Sequence, residues 1–174
     1  MNEITFTPQS IASFLQNNTL LPVILCIGTD KVIGDALGPI VGEMLIRSKI
    51  PAYVYGSLSM PVTALNLKNT LHFISTRHHG HTVIAVDSSL GPSCEVGKIH
   101  FFKGGIKPGL ATGKILPMAG DLSVTLTVAP LDSENALSKV RLSFIYHHGV
   151  NIAKTICDGV NLALKKGEII PTIS

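Results

Sequence analysis

Pro22-Val-Ile-Leu-Cys-Ile27, Gly28-Thr-Asp-Lys-Val-Ile-Gly-Asp35 and Ala36-Leu-Gly-Pro-Ile-Val-Gly-Glu-Met-Leu-Ile46 follow one another without interruption. The first run is short, apolar on both faces and rich in β-branched residues, the pattern of a strand buried inside a parallel sheet. The third carries Leu37, Ile40, Val41, Met44 and Leu45 at helical spacing, so one side of a helix is apolar. The polar loop between them holds Gly28, Gly34, Asp30 and Asp35. Carboxylates therefore emerge at the carboxyl end of a central strand, the edge at which open α/β sheets build their sites.

A nucleotide site is the first reading to test. Gly28, Gly34 and Gly38 do not fit G-x-G-x-x-G, and no Gly-Lys-Ser/Thr follows to make a phosphate loop. Asp35 would also put negative charge where a phosphate needs a free helix N-terminus. Taken alone, Asp35 reads as a cap on the helix that begins near Ala36.

A second strand repeats the arrangement, since His81-Thr-Val-Ile-Ala-Val-Asp87 is another apolar run that reaches an aspartate. Two parallel strands that end this way bring their carboxylates to one rim. Asp87 opening a turn with Ser88 and Ser89 is the plainer alternative. His78, His79 and His81 precede this strand and so belong to the opposite rim. They read as a solvated loop rather than a metal site, whose ligands must converge on one point.

At these residues the chain resembles a known group. Gly28-Thr-Asp-Lys-Val-Ile-Gly-Asp-Ala-Leu-Gly-Pro39 is similar to the Gly-Asn-x-x-x-x-Pro-Asp-Ala-Leu-Gly-Pro segment of the spore germination proteases, and more loosely to the matching loop of the hydrogenase maturation proteases. Within that group the chain looks most like the short YyaC-type sporulation proteins. Thr29 stands where the family has asparagine, and Gly34 where it has proline. The resemblance runs from Pro22 to about Val128. It implies that Val-Ile-Ala-Val-Asp87 is the strand ending in the second essential aspartate. It also implies that Gly105-Ile-Lys-Pro-Gly109 matches a Gly-Ile-His-Pro-Gly segment near the active site, and that the fold is phosphorylase/hydrolase-like. Hydrogenase maturation proteases recognise nickel through two acids and a histidine. Here no histidine lies between Phe101 and Phe144, so no metal or other cofactor is expected.

Composition narrows the remaining classes. The chain has 174 residues, 45% of them hydrophobic and only 14% charged, with a mean hydropathy of +0.40. One domain spanning 1–174 with a sizeable core is expected, and disorder is excluded. Fourteen basic against eleven acidic residues, a net +3, are scattered and form no patch that would grip nucleic acid. The N-terminus has neither a basic region nor a long apolar run, so neither export nor membrane insertion is expected. Cys26, Cys94 and Cys157 read as reduced core thiols of a cytoplasmic protein.

Further elements complete the reading. A leading helix covers Ser10 to Gln16, a strand Tyr53 to Gly56, a helical pattern Val62 to about Arg77, and a strand Lys98 to Phe102. A Gly-rich loop follows to Gly113, then a last strand from Gly120 to Val128, with a closing helical region from Leu137 to Lys165. His147 and His148, within that region, read as core histidines. The expected fold is a three-layer α/β/α sandwich on a mixed, mostly parallel sheet of about five strands. The expected catalytic pair is Asp35 and Asp87. Gly28, Thr29, Asp30, Gly105, Gly109 and Asp121 are the expected substrate-binding positions, with Asp121 equally able to cap a turn. The expected activity, carried by the resemblance, is that of a sporulation-associated peptidase. Its partner is a protein or peptide substrate such as a small acid-soluble spore protein, in the forespore or mother cell. A non-catalytic sporulation protein binding a partner on the same scaffold is the alternative, and a homo-oligomer is left open.

Overall fold

The computed structural model describes residues 3–16, 18–108 and 116–167. One six-stranded sheet organises them. In chain order it comprises β1 (Glu3–Ile4), β2 (Val23–Cys26), β3 (Tyr53–Tyr55), β4 (Val83–Gly91), β5 (Ile99–Lys103) and β6 (Leu122–Pro130). Across the sheet the order is β1-β5-β6-β4-β2-β3. β3, β2, β4 and β6 run parallel, whereas β5 is antiparallel to both β6 and β1.

Helices α1 (Pro8–Leu15), α2 (Leu37–Arg47) and α4 (Leu142–Lys165) cover one face, and α3 (Leu67–Arg77) lies on the other. The sheet is mixed and mostly parallel within a three-layer α/β fold. Side-chain alternation fills both faces: Ile24, Cys26, Ile84, Val86, Phe101 and Val124 point into the core under α1, α2 and α4, while Val23, Leu25 and Ala85 meet Leu67 and Ile74 of α3. Burial of the larger core anchors the outer strands too. Phe101 of β5 is fully buried, its ring centroid 5.5 Å from that of Phe6 and 5.7 Å from that of Phe14.

The connection from β2 through α2 reaches β3 on one side, and that from β3 through α3 returns across β2 to β4 on the other. The chain therefore reverses its winding between β2 and β4. In open α/β sheets the crevice outside the carboxyl ends of such a strand pair is where ligands bind.

Several expectations are corrected here. The edge strand β1 was not among the expected strands, because two residues are too few to show a period. The helix expected from Val62 starts at Leu67, since Val62 instead forms an isolated parallel bridge to Ile27 and Thr63 accepts the first turn. Cys26 alone is a core thiol. Cys94 is exposed and Cys157 half-buried. His147 is exposed and His148 half-buried against Phe144, so neither is a bonded core histidine. His78 is not simply solvated, because it stacks on Tyr53 and accepts or donates a 2.6 Å bond with the Tyr55 hydroxyl. No helix among the described residues is long and apolar enough to cross a membrane.

Candidate active site

The loop after β2 is shaped by two glycines. Gly28 has φ +140°, and a Cβ there would lie 2.1 Å from the Asp35 carbonyl oxygen, so no other residue fits without moving the loop. A Cβ on Gly38 would lie 2.1 Å from the Ile27 carbonyl oxygen, and its absence lets α2 start directly against the end of β2. The loop closes through the Thr29 N–H, which donates to the Asp35 carbonyl and to Asp35 Oδ2, both at 3.0 Å.

Asp35 sits in the short 3-10 turn Ile33–Asp35 and does not cap α2. Ala36 occupies the N-cap position without a side-chain bond. The Asp35 side chain turns instead toward β4. There the Ser88 hydroxyl donates a long 3.5 Å bond to Asp35 Oδ1, and the Ser88 N–H donates to Asp87 Oδ1 at 2.8 Å.

Asp87 does not end its strand as the sequence suggests. β4 runs on to Gly91, with a bulge between Ser89 and Leu90. Asp87 is buried, 7% exposed. Burial, reinforced by the charge of Asp35 and only partly offset by the Ser88 N–H, holds its carboxyl well above the ordinary 3.8. Asp87 therefore keeps its proton into a range where ordinary carboxylates have lost theirs.

Both aspartates line a single cleft of about 1220 Å³, larger than a typical small-molecule pocket. Gly28, Thr29, Asp30 and Lys31 form its rim near Asp35, with Pro61, Thr63 and Leu65 beside them, and Gly105, Ile106, Lys107 and Pro108 border the far wall. The structure thus brings Asp35, Asp87, Gly28, Thr29, Asp30 and Gly105 to one place. Gly109 and the rest of the Gly-rich loop to Gly113 lie outside the described residues. Asp121 is elsewhere. It precedes β6, and its Oδ2 accepts the Val83 N–H at 2.8 Å while its own N–H donates to the Val83 carbonyl at 2.8 Å. It fastens the starts of two parallel strands at the rim opposite Asp87.

One cleft residue escaped the sequence reading. His100 of β5 pairs with Thr125 of β6, and Thr125 pairs with Asp87 of β4, so the three stand in one row across the sheet. Its signal was alternation: Phe101 points into the core, so His100 must face the other way. The His100 ring is held by Glu3 Oε1 at 2.8 Å on Nδ1 and by Thr127 Oγ1 at 3.1 Å on Nε2.

These partners also bear on a metal site. Asp35 and Asp87 could supply two oxygen ligands, but both His100 nitrogens are already engaged. Among the described residues no group of three His, Cys, Asp or Glu side chains converges on a point. Among the described residues, none completes the two-acid, one-histidine set.

The mouth of the cleft is apolar, with Leu65 93% exposed, Met118 60% and Leu131 69%.

The family described as "Protein of unknown function (DUF1256)" matches residues 3–159. "Uncharacterized protein YyaC" of Bacillus subtilis (strain 168) is 37% identical over 143 residues, covering 80% of this chain and 68% of that protein.

Proposed function

The chain belongs to the DUF1256 family, and from the carboxylate pair in its cleft we propose that it is an aspartate-dependent peptidase acting on extended polypeptide. The single observation that carries this reading is the shared cleft of Asp35 and Asp87, in which burial and the charge of Asp35 push the Asp87 carboxyl well above its ordinary value. In this mechanism Asp35 takes a proton from water as the water attacks the scissile carbonyl carbon. Asp87 gives its proton to the departing amide nitrogen, and the proton held by Asp35 restores Asp87 afterwards. Each carboxylate ends the cycle as it began.

The resemblance of Gly28–Pro39 and Val83–Asp87 to the spore germination proteases supports the finer reading. On that reading the substrate is a small acid-soluble spore protein and the setting is the forespore or mother cell of a spore-forming bacterium. The Bacillus relative is consistent with that setting. The apolar mouth supports an extended, unfolded substrate.

The test is incubation of the pure protein with a small acid-soluble spore protein, followed by mass spectrometry. Discrete fragments with wild type, and none with Asp35→Asn or Asp87→Asn, are expected. Binding without cleavage by wild type would replace the peptidase with a partner-binding protein on the same cleft. Cleavage that survives both substitutions would end the proposal.

A further inference from the structure

A second polar chain crosses the cleft floor from Glu3 to Ser89. Glu3 Oε1 lies 2.8 Å from His100 Nδ1, His100 Nε2 lies 3.1 Å from Thr127 Oγ1, and Thr127 Oγ1 lies 3.4 Å from Ser89 Oγ. Thr127 is 2% exposed, so its hydroxyl has to find its partners inside this chain. Ser89 lines the cleft two residues beyond Asp87 on the same face, and it sits at the β4 bulge. Bulges of this kind re-aim a side chain beside a site.

The order of donors follows from elementary bookkeeping. An ionised Glu3 only accepts, so Nδ1 of His100 carries a hydrogen and, in the neutral ring, Nε2 is bare. Bare Nε2 must accept from the Thr127 hydroxyl. Thr127, having spent its hydrogen there, accepts from Ser89. The Ser89 oxygen then shows only lone pairs to the cleft. Protonation of His100 leaves Nδ1–H on Glu3 and reverses the steps beyond Nε2: Nε2–H donates to Thr127, Thr127 donates to Ser89, and the Ser89 hydrogen is released toward the cleft.

We propose that Ser89 is a substrate-positioning residue whose hydrogen-bond direction is set by His100: it accepts a backbone N–H of a bound polypeptide when His100 is neutral and donates to a backbone carbonyl when His100 is protonated. This rests on the polypeptide substrate of the preceding section. The charged groups that face His100 are Glu3 from β1 and Glu95, whose Oε2 lies 3.8 Å from Nε2, from the turn Ser93–Glu95. Asp87 stands two strands away in the same row. The short strand β1, which supplies Glu3, is thereby part of the site.

Two measurements on the full chain test it. Nitrogen-15 NMR of the His100 ring reads the relay without any substrate, and the Nδ1–H tautomer is expected in the neutral ring, with the preference reduced in Glu3→Gln. A neutral ring in the Nε2–H form overturns the proposal, whether or not the protein cleaves anything. The second measurement is the pH dependence of affinity for a fluorescent-labelled unfolded polypeptide, in wild type, Ser89→Ala and His100→Gln. Loss of one hydrogen bond weakens binding by up to about tenfold. Ser89→Ala should show that loss, and both substitutions should change the pH dependence of binding relative to wild type. A profile in Ser89→Ala that follows wild type overturns the proposal while leaving the peptidase reading intact. Binding that follows the expected pattern in a protein that cleaves nothing ends the peptidase reading and keeps this one.

Discussion

Asp35 and Asp87 are bridged by one residue, Ser88, whose hydroxyl donates to Asp35 Oδ1 at 3.5 Å and whose N–H donates to Asp87 Oδ1 at 2.8 Å. The bridge ties the loop after β2 to the interior of β4 across the point where the chain reverses its winding. Asp87 is buried and Asp35 half-buried, and on the proposed reading that difference separates an acid role from a base role.

That burial has a consequence for stability. Asp87 has a folded-state pKa raised above its ordinary 3.8, so the native protein holds a proton that the unfolded chain has released. Stability therefore falls as pH rises from about the ordinary carboxylate value up to the raised one. Asp87→Asn removes the titration but keeps the shape. We expect denaturant melts of Asp87→Asn to lose this downward slope and to match or exceed wild-type stability at neutral pH. A variant less stable than wild type at neutral pH would mean that the ionised carboxylate is favoured in the fold.

Gly28 shapes the same loop. Gly28→Ala adds a Cβ that would overlap the Asp35 carbonyl at 2.1 Å and places an L-residue at φ +140°. Strain of this kind costs about 1–3 kcal/mol before the clash is counted. Thermal melting should show a fall of several degrees, and because Asp35 is displaced, any cleavage should fall with it. A melting temperature equal to that of wild type would contradict the described loop.

Asp121 separates fold from function. Its carboxylate accepts the Val83 N–H, and Asp121 is not among the described residues that line the cleft. Asp121→Ala should lower stability by about 1 kcal/mol, or about 2–4 °C in melting temperature. Peptide affinity should stay at the wild-type value. A specific loss of affinity with an unchanged melt would return Asp121 to the substrate site.

The legible part of this molecule was its periodicity. The apolar runs at Val23–Cys26 and Val83–Val86 announced buried parallel strands, and the acids that follow them pointed to the rim where Asp35 and Asp87 meet. Capping chemistry misled, because Asp35 precedes a helix as a cap would, yet its carboxylate turns back to the Thr29 N–H. Strand length misled at Asp87, since a polar Asp-Ser-Ser reads as a turn although β4 carries it as strand, with Asp87 buried, Ser88 and Ser89 half-buried, and a bulge after Ser89. His100 and Glu3 lie 97 positions apart, and their pairing depends on β1 adding to the far edge of the sheet. No local pattern encodes such a contact.

Asp35 and Asp87 should titrate as neighbours in one site. Carbon-13 NMR of the aspartate carboxyls, followed through an acid titration of wild type and of Asp35→Asn, measures this directly. Asp87 is expected to titrate well above 3.8 in wild type and to move downward in Asp35→Asn, where the neighbouring charge is gone but burial persists. An Asp87 carboxyl that titrates at its ordinary value, or one that does not respond to Asp35→Asn, would contradict it.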